Sequence, residues 1–390
     1  MNPEDVAADG SPVELYARMP TFGEPELVHA TIPAGTNILE LGAGAGRMTH
    51  RLLELGHPMT AVDSSAAMLA RIVGADRVHA QIEDLDLGRT FGCVLLASQL
   101  VNIDDDVQRA AFLATARRHL DEDGGVLLIQ RYDPGWADDP SPSESRHDGV
   151  IIRVLSPRRE GERLMATVEY EVDGRQWRHG PFTSRILSDD ELLGRLFVAG
   201  LAFDRWLDER RTWLAAVPTP DVSALYVAID EAEQVVGELR RRWDSAGLAV
   251  AAHVTILFPF LEPNSIDAAV EASLGEIAGT VPAFEVEFAR VGRFPDVVWL
   301  APDPAMPFAR LTDAVAARWP DHPPYGGAFG QVVHHLTVAD GAPRSVLDHL
   351  ESSLPGSLPV RARVRQVTLS VRERGTWRVR QQYALRGGVS

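Results

Sequence analysis

The sequence predicts two domains of different class: an α/β domain with a doubly wound parallel sheet and an antiparallel insert, followed by an α+β domain of two lobes. Three observations carry this prediction. Short apolar runs alternate with helical stretches at 37–130, which is typical of a parallel sheet with crossover helices. Strand-like alternation replaces that pattern at 149–187. The tripeptide His-x-Thr then stands in two separate β-branched runs of the second half of the chain.

The first domain is predicted to span residues 1–217. Its parallel strands are indicated by five apolar runs: NILELG, MTAVD, RVHAQI, CVLLAS and GGVLLIQ. Amphipathic stretches between these runs indicate the crossover helices, and they include MTHRLLEL, SSAAMLARIVG and VQRAAFLATARRHL. A single doubly wound sheet follows from the alternation.

The antiparallel insert is predicted at residues 149–187. Three strand-like runs occur there, VIIRVLS, RLMATVEYEV and RQWRHGPFTSRIL, and Asp173-Gly174 is typical of a tight hairpin turn. Ser188 and Glu191 form a capping box that begins a helix, and Gly200 ends it. The runs LAFDRWLDE and RTWLAAV then predict a closing hairpin. We therefore expect the insert to cover the mouth of the first domain.

Residues 218–222 are predicted to be a linker, because Pro218 and Pro220 interrupt every pattern. The second domain is predicted at residues 223–390, where strands and helices alternate without the regular βα order. Each His-x-Thr run follows one predicted helix and precedes another. That arrangement indicates two related lobes.

Charge composition narrows the classes of partner. The net charge is −17, which disfavours binding to long duplex nucleic acid. The chain contains no lysine, so all 38 basic residues are arginines, and eight of them stand in the last thirty positions. Arginine suits bidentate phosphate recognition, and the same residues also fit the solvated face of alternating strands.

Several functional classes are not supported by the sequence. No apolar stretch reaches the roughly 18 residues of a membrane span, and the first residues are acidic, so we expect a cytoplasmic protein. Cys93 is the single cysteine and lies in an apolar run, as a small buried side chain does. The twelve histidines show no spacing typical of a metal site, so no metal is expected.

A glycine loop follows the first predicted strand. Gly42, Gly44 and Gly46 alternate with alanine and precede a helix, whose N–H groups add hydrogen-bond donors. Asp63 ends the next strand, where a carboxylate can accept both hydroxyls of a ribose. The combination predicts a nucleotide-type ligand at this edge of the sheet.

The motifs ELGAGAGR and AVDSS resemble those of class I S-adenosylmethionine-dependent methyltransferases of the small-molecule type, which have a Rossmann-like domain. The resemblance implies that the glycines approach the methionine portion of S-adenosylmethionine, and that Asp63 holds its ribose. Ser64, Met68 and Ile82 would flank the adenine. Its amino group would be met by Gln81, Glu83 or Asp84. The implied cofactor-binding residues are Glu40, Gly42, Gly44, Gly46, Asp63, Ser64, Met68, Gln81, Ile82, Glu83, Ala97 and Ser98.

A nicotinamide-dependent dehydrogenase is the alternative for this domain. Its loop usually has the spacing G-x-G-x-x-G, whereas this chain has G-x-G-x-G preceded by Glu40. The methyl acceptor stays open, since transfer from a sulfonium requires mainly in-line placement of the acceptor. Candidate pocket residues, which equally fit a packed core, are Tyr16, Arg131, Tyr132, Trp136, Tyr170 and Trp177.

The second domain carries the paired tripeptides His253-Val-Thr255 and His335-Leu-Thr337. Side chains at i and i+2 of a strand share a face, so each run presents an imidazole beside a hydroxyl. The intervening Val254 and Leu336 are expected to pack behind. A third His-x-Thr at His29 lies outside any strand-like run. The prediction of a site therefore depends on the strand context of the other two copies and not on the tripeptide alone.

These strands resemble the two-histidine phosphoesterase superfamily, which includes 2',5' RNA ligases and 2',3'-cyclic phosphodiesterases. Cleavage of a cyclic phosphodiester requires one group to take a proton and another to give one, and histidine titrates near neutral pH. The resemblance implies catalytic roles for His253, Thr255, His335 and Thr337, with the threonines on phosphate oxygens. His334 is expected to be structural or to lie at the rim of the cleft. Further cleft candidates are Arg293, Trp299, Tyr325 and Phe329.

The sequence therefore predicts a bifunctional enzyme. S-adenosylmethionine-dependent methyl transfer would act on a small-molecule or nucleotide acceptor, and metal-independent phosphodiester chemistry on a nucleotide or RNA end. The alternative is a methyltransferase whose second domain only binds a phosphorylated ligand.

Overall fold

The structure, a computed structural model, describes residues 12–328 and 332–388 of the chain. It consists of two compact units, Met1–Thr219 and Pro220–Ser390, which we call unit 1 and unit 2. The boundary falls within the predicted linker at 218–222. Pro218 is the last residue of one strand and Val222 the first of the next, so only residues 219–221 lie between strands.

Unit 1 contains eleven strands among the described residues. They are β1 (Ile38–Leu41), β2 (Met59–Asp63), β3 (Asp76–His79), β4 (Cys93–Leu96), β5 (Val126–Gln130), β6 (Ser143–His147), β7 (Val150–Glu160), β8 (Arg163–Val172), β9 (Arg175–Arg185), β10 (Leu201–Trp206) and β11 (Trp213–Pro218). Its α-helices are α1 (Val13–Tyr16), α2 (Glu24–Thr31), α3 (Arg47–Glu54), α4 (Ala66–Leu69), α5 (Asp106–Arg118), α6 (Pro134–Asp138) and α7 (Asp189–Val198).

Seven strands form the main sheet in the order β10-β11-β5-β4-β1-β2-β3. The first five strands of the chain pair in parallel, and the closing hairpin joins β5 antiparallel. Leu39 and Leu41 pack on one face of the sheet, while Ile38 and Cys93 pack on the other. Apolar runs without polar alternation arise because helices cover both faces. The predicted doubly wound sheet is confirmed.

Two details differ from the sequence prediction. The helix expected in SSAAMLARIVG is the four-residue α4, capped by Ser65, whose hydroxyl accepts the N–H of Met68 at 3.3 Å. The insert is a four-stranded sheet, β6-β7-β8-β9, because Ser143–His147 adds a strand that the prediction lacked. All five residues of β6 are exposed, so no apolar alternation reveals it.

The predicted turn and cap of the insert region are confirmed. Asp173 and Gly174 both have positive φ, 50° and 75°, as a type I′ hairpin turn requires. The hydroxyl of Ser188 accepts the N–H of Glu191 at 3.1 Å and begins α7. Gly200, with a φ of 79°, follows the helix. These local signals are short-range, which is why sequence alone reveals them.

A buried ionic cluster anchors the end of the insert. Arg185, 5% exposed at the end of β9, donates to the carboxylates of Asp106 on α5 and Glu191 on α7. Asn102, 2% exposed, donates its amide to the carbonyl of Arg185 at 2.7 Å and accepts the N–H of Tyr132 at 3.1 Å. The insert is therefore fixed beside the carboxyl end of β5.

Unit 2 has eight strands and four α-helices in its described part. The strands are β12 (Val222–Ala228), β13 (His253–Leu257), β14 (Phe284–Phe294), β15 (Val297–Asp303), β16 (Leu336–Asp340), β17 (Val360–Val364), β18 (Gln366–Glu373) and β19 (Thr376–Ala384). The helices are α8 (Asp230–Trp243), α9 (Ala268–Thr280), α10 (Met306–Arg318) and α11 (Arg344–Ser353).

The eight strands form one sheet in the order β17-β14-β15-β16-β13-β12-β18-β19, and each neighbouring pair is antiparallel. The central pair is β16 and β13, with three further strands on either side. The two predicted lobes are thus confirmed, and the two His-x-Thr runs lie where the lobes meet.

Four of the eight arginines in the last thirty positions pair with glutamates. Arg361 and Arg363 pair with Glu287 and Glu285 across the β14–β17 ladder. Arg378 pairs with Glu373, and Arg380 pairs with Glu271. This arrangement favours the solvated-face interpretation over a bare phosphate-binding groove.

Two features of the described residues bear on the class of protein: the length of its apolar helices and the grouping of side chains that can bind a metal. No helix of residues 12–328 and 332–388 is long and apolar enough to cross a membrane. In the same part of the chain, no group of three His, Cys, Asp or Glu side chains is placed to hold a metal ion.

Candidate active sites of the two units

The glycine loop of unit 1 lies at the carboxyl end of β1, between β2 and β4. Gly42, Gly44 and Gly46 all have positive φ, at 74°, 57° and 89°, a conformation that favours glycine. A Cβ on Gly44 would meet no atom within 4 Å, whereas a Cβ on Gly42 or Gly46 would collide with neighbouring side chains. The backbone at Gly44 therefore borders open space, as a ligand-binding loop requires.

Asp63, at the end of β2, braces this loop. Its carboxylate accepts the N–H of Gly44 and the N–H of Ser65, both at 2.8 Å. The side chain is half-buried. The bonds hold the carboxylate at the sheet edge, where its remaining lone pairs can accept ligand hydroxyls.

Glu40 supports the loop from behind. Its carboxyl is 3% exposed and accepts the hydroxyl of Thr49 on α3 at 2.5 Å. Burial raises the pKa of Glu40 to about 7, although the Thr49 hydrogen bond and Arg47 act in the opposite direction. The predicted role in cofactor binding would therefore be exerted through the loop that Glu40 holds.

The other predicted cofactor residues fall into two groups by exposure. Met68, Ile82 and Ala97 are buried, and the terminal methyl of Ile82 lies 3.9 Å from the Cβ position of Gly42. Ser64, Gln81 and Ser98 are exposed. Glu83 is half-buried and accepts a hydrogen bond from the amide of Gln108.

The end of β4 is strained in a way that sequence did not reveal. Ser98 and Gln99 both have positive φ, 53° and 57°, without being glycine. Such backbone strain clusters at functional sites. The N–H of Ser98 donates to Oε1 of Gln130 at 2.8 Å, which ties the turn to the end of β5. The contact between Ser98 and Gln130 gives no sequence motif, because only the fold brings these two residues together.

Three tyrosines gather beside this edge from separate elements. Tyr170 of β8 is hydrogen-bonded to Tyr16 of α1, and burial raises the pKa of Tyr170. Tyr132 follows β5 and lies 3.5 Å from the hydroxyl of Ser184. Tyr16 also packs beside Ala45 of the glycine loop and Met68. The predicted pocket tyrosines therefore lie together.

The remaining acceptor candidates differ in position. Arg131 is 3% exposed and stacks on Trp206, with its guanidinium carbon 4.5 Å from the ring centre. Its side chain also donates to the carbonyl of Arg211 at 2.8 Å, so it packs away from the tyrosines. The Trp136 ring lies 6.2 Å from the Tyr132 ring. Trp177 packs in one cluster with Leu15 of α1 and Tyr170.

In unit 2 the two His-x-Thr runs are neighbours in the central pair of strands. Val254 pairs with Leu336 antiparallel, and both are fully buried, as predicted. That register places His253 opposite Thr337 and Thr255 opposite His335. Directly opposed side chains have Cβ atoms about 5 Å apart. The four predicted catalytic side chains thus share one face.

Each histidine of the two His-x-Thr runs is anchored in the same way. Nδ1 of His253 lies 2.7 Å from the carbonyl oxygen of Ala251, and Nδ1 of His335 lies 2.7 Å from that of Val333. A carbonyl oxygen only accepts, so Nδ1 carries the proton in both rings. Nε2 is left to exchange a proton with a ligand.

The electrostatic surroundings of the two imidazoles differ. Burial, followed by the nearby Arg240 guanidinium, lowers the pKa of His253 to about 3. Burial also lowers the pKa of His335, but the Val333 hydrogen bond and the Asp244 carboxylate oppose that effect. The symmetric backbone therefore carries an asymmetric charge distribution.

Aromatic rings line the cleft around both histidines. Tyr226 lies 4.9 Å from His253, while Phe294 and Trp299 lie 5.3 and 5.7 Å from His335. Tyr325 is hydrogen-bonded to Thr255. Of the predicted cleft residues, Trp299 and Tyr325 are thus at the site, and Phe329 lies outside the described residues.

Two other predicted residues, His334 and Arg293, make contacts outside the group of four His and Thr side chains. His334 donates from Nε2 to the hydroxyl of Thr312 at 2.8 Å, and that hydroxyl donates to the carbonyl of Ile256 at 2.8 Å. This chain of hydrogen bonds links the two His-x-Thr strands, so His334 has a structural contact. Arg293 is directed toward Asp348 on α11 at 3.5 Å.

Comparison with known families assigns both units. A family model described as a methyltransferase domain matches residues 38–124, and the 2'-5' RNA ligase superfamily model matches residues 228–376. The chain therefore has an N-terminal methyltransferase domain and a C-terminal domain of the 2'-5' RNA ligase superfamily. No protein of curated function matches the sequence.

Solved structures similar to unit 1 are also methyltransferases. The sugar N-methyltransferase KedS8 from Streptoalloteichus sp. is 22% identical, covers 55% of this chain and 95% of its own, and has a TM-score of 0.45. An S-adenosylmethionine-dependent methyltransferase from Clostridium acetobutylicum is 15% identical, covers 53% and 94%, and has a TM-score of 0.44. The amino pentose methyltransferase CalS10 from Micromonospora echinaspora is 19% identical, covers 53% and 95%, and has a TM-score of 0.42. Similarity at this level gives no information on the acceptor of this chain.

Replacing Glu40 by glutamine is expected to stabilise unit 1 increasingly as pH rises. Folding favours the protonated carboxyl, because the pKa of Glu40 is about 7 in the folded chain and 4.5 is its ordinary value. The wild type therefore loses stability from about pH 4.5 to 7, and Glu40→Gln does not. The difference in unfolding free energy should approach about 3 kcal/mol at pH 8.

Differential scanning calorimetry of the full chain at pH 5 and pH 8 measures this difference. Glu54→Gln, an exposed position on α3, is the matched control and should show no such pH dependence. An equal effect of Glu40→Gln at both pH values would contradict the account.

Proposed function

We propose that the chain is a bifunctional enzyme. Unit 1 transfers a methyl group from S-adenosylmethionine to a small-molecule or nucleotide acceptor. Unit 2 breaks or forms a phosphodiester of the 2',3'-cyclic or 2',5' type without a metal ion. The observation that carries the proposal is the pair of facing His-x-Thr runs in which both Nδ1 atoms are anchored and both Nε2 atoms are left for proton transfer.

The residues of unit 1 fit S-adenosylmethionine. The open backbone at Gly44 suits the methionine portion, and Asp63 is held where ribose hydroxyls can donate to it. Buried Met68 and Ile82 offer apolar surface for the adenine ring. When bound, S-adenosylmethionine supplies an electrophilic methyl group on its sulfonium. The chain's own contribution is to bind, to orient and to exclude water.

The acceptor of unit 1 is proposed to bind among the gathered tyrosines. Tyr16 and Tyr170 come from α1 and from the insert, so the pocket would close over the sheet edge next to Ser98. A pocket enclosed by side chains of this kind suits a small acceptor. The net charge of −17 also disfavours a long nucleic acid.

The residues of unit 2 supply acid–base catalysis. In hydrolysis of a 2',3'-cyclic phosphate, water attacks phosphorus while one imidazole takes its proton. The bond from phosphorus to a ribose oxygen breaks, and the other imidazole gives that oxygen a proton. The hydroxyls of Thr255 and Thr337 would donate to the non-bridging oxygens.

A binding module is the second candidate for unit 2. Burial lowers the pKa of both His253 and His335, so a protonated imidazole is scarce at neutral pH in the free protein. The aromatic rings around the histidines could also hold a nucleotide without reaction. A negatively charged phosphate would raise both pKa values on binding, which the cleavage hypothesis requires.

Substitution of Asp63 by asparagine is expected to weaken S-adenosylmethionine binding. A lost charge-assisted hydrogen bond costs about 2 kcal/mol, or roughly thirtyfold in Kd. Isothermal titration calorimetry of the full chain measures this change. Asp76→Asn, at the amino end of the adjacent strand β3, is the control and should bind normally. Tight binding of NAD with no binding of S-adenosylmethionine would overturn the assignment.

A double variant, His253→Ala with His335→Ala, is expected to abolish cleavage of 2',3'-cyclic nucleotides. Each proton-transfer group contributes about a hundredfold or more to rate, so the loss should exceed about 10⁴-fold. Product formation by chromatography measures cleavage, and S-adenosylmethionine affinity should be unchanged. His349→Ala, on an exposed position of α11, serves as the control. Wild-type chain that binds cyclic nucleotides but never cleaves a 2',3'-cyclic or 2',5' substrate would favour the binding module.

A further inference from the structure

A buried ion pair at the end of α8 lies behind the catalytic strands. Arg240 is 1% exposed and Asp244 is 5% exposed. Nη2 and Nε of Arg240 donate to Oδ2 of Asp244 at 2.9 and 3.2 Å. Nη1 of Arg240 is 3.6 Å from Glu233, which faces the pair from the first turns of the same helix. Burying these charges costs desolvation free energy, so the pair is a candidate for a functional role.

This cluster fixes the three residues that precede His253. Nη1 of Arg240 donates to the carbonyl of Val250 at 3.2 Å, and the carboxylate of Glu233 accepts the N–H of Ala252. The carbonyl of Ala252 accepts the N–H of Ile229 at 2.7 Å. The carbonyl between them, that of Ala251, accepts Nδ1–H of His253. Arg240 and Glu233 therefore hold the backbone on both sides of Ala251, whose carbonyl accepts the hydrogen bond from His253.

Among the residues that the structure describes, no equivalent charge pair holds the His335 anchor. The segment before His335 is tied by His334 to the hydroxyl of Thr312, which is a neutral contact. The charges on the helix act unequally on the two rings. The Arg240 guanidinium and the charge of His335 lower the pKa of His253, whereas the Asp244 carboxylate raises that of His335.

The aromatic groups packed on the rings are uncharged at neutral pH, and Asp340 on β16 is a further titratable group near Asp244, since burial and the Asp244 carboxylate raise the pKa of Asp340 to about 6. Tyr226 from β12 packs on His253, and Phe294 from β14 and Trp299 from β15 pack on His335. The two histidines have matching Nδ1 bonds, but the two members of the ion pair act on them with opposite signs: Arg240 lowers the pKa of His253 and Asp244 raises that of His335.

We propose that the Arg240–Asp244 pair assigns unequal roles to the two histidines, with His253 as general base and His335 as general acid. The assignment rests on the proposed phosphodiester chemistry of unit 2. Nε2 of His253 takes the proton of the attacking water as its oxygen bonds to phosphorus. The bond from phosphorus to the ribose oxygen breaks, and Nε2–H of His335 gives that oxygen its proton. Solvent then restores both imidazoles. Arg240 and Asp244 act through the histidines and are positioning residues.

The order of titration of the two imidazoles tests the assignment without any variant. Histidine NMR spectra of the full chain, recorded against pH with inorganic phosphate present and with it absent, should show His335 titrating at higher pH than His253. Signals are assigned with His253→Ala and His335→Ala. The reverse order would overturn the proposal.

The pH dependence of cleavage of 2',3'-cyclic AMP gives a second test. The acidic limb of kcat/KM reports the base and the basic limb the acid. Asp244→Asn removes the charge that supports protonated His335, so the basic limb should move to lower pH by more than the acidic limb. Glu238→Gln removes a charge from the exposed face of the same helix and should leave both limbs unchanged.

The outcomes separate the two proposals. A shift of the acidic limb alone in Asp244→Asn would show that His335 is the base and would overturn the role assignment. If Asp244→Asn fails to fold, the wild-type titration order still decides. A wild type that cleaves no cyclic nucleotide would overturn the proposed function, whatever the titration order.

Discussion

The hydrogen bonds from Nδ1 of His253 and His335 to the carbonyls two residues earlier are the constraint on which the account of unit 2 depends. They fix the tautomer, so the same nitrogen of each ring is available for proton transfer. The geometry works only because β13 and β16 are antiparallel neighbours with Val254 against Leu336. The sheet, its two lobes and the buried apolar residues behind the strands serve to hold that pair in register.

In unit 1, hydrogen bonds from side-chain carboxylates fix the conformation of the glycine loop. A loop of alternating glycines must stay open to a ligand while its backbone keeps one conformation. Asp63 accomplishes this by accepting the N–H of Gly44, and buried Glu40 ties the end of β1 to α3 through Thr49. The strained turn at Ser98 completes the edge. In both units, a carboxylate or carbonyl acceptor fixes the group that is proposed to meet a ligand.

Short-range patterns made much of this predictable from sequence. The hairpin turn at Asp173, the cap at Ser188 and the buried middle residues Val254 and Leu336 depend on neighbours close in the chain. The exposed strand β6 could not be predicted, since none of its residues is buried. The Arg240–Asp244 pair looks like an ordinary i, i+4 pair on a helix. Only the fold brings it against the segment before His253.

The tautomeric state of His253 and His335 tests the central claim most directly. Long-range ¹⁵N–¹H correlation spectra of the full chain at neutral pH distinguish the two ring nitrogens of each neutral imidazole. The account predicts that Nδ1 is protonated and Nε2 is unprotonated in both residues. A proton on Nε2 of either neutral ring would contradict it, because Nδ1 would then be unprotonated and could not donate to the backbone carbonyl.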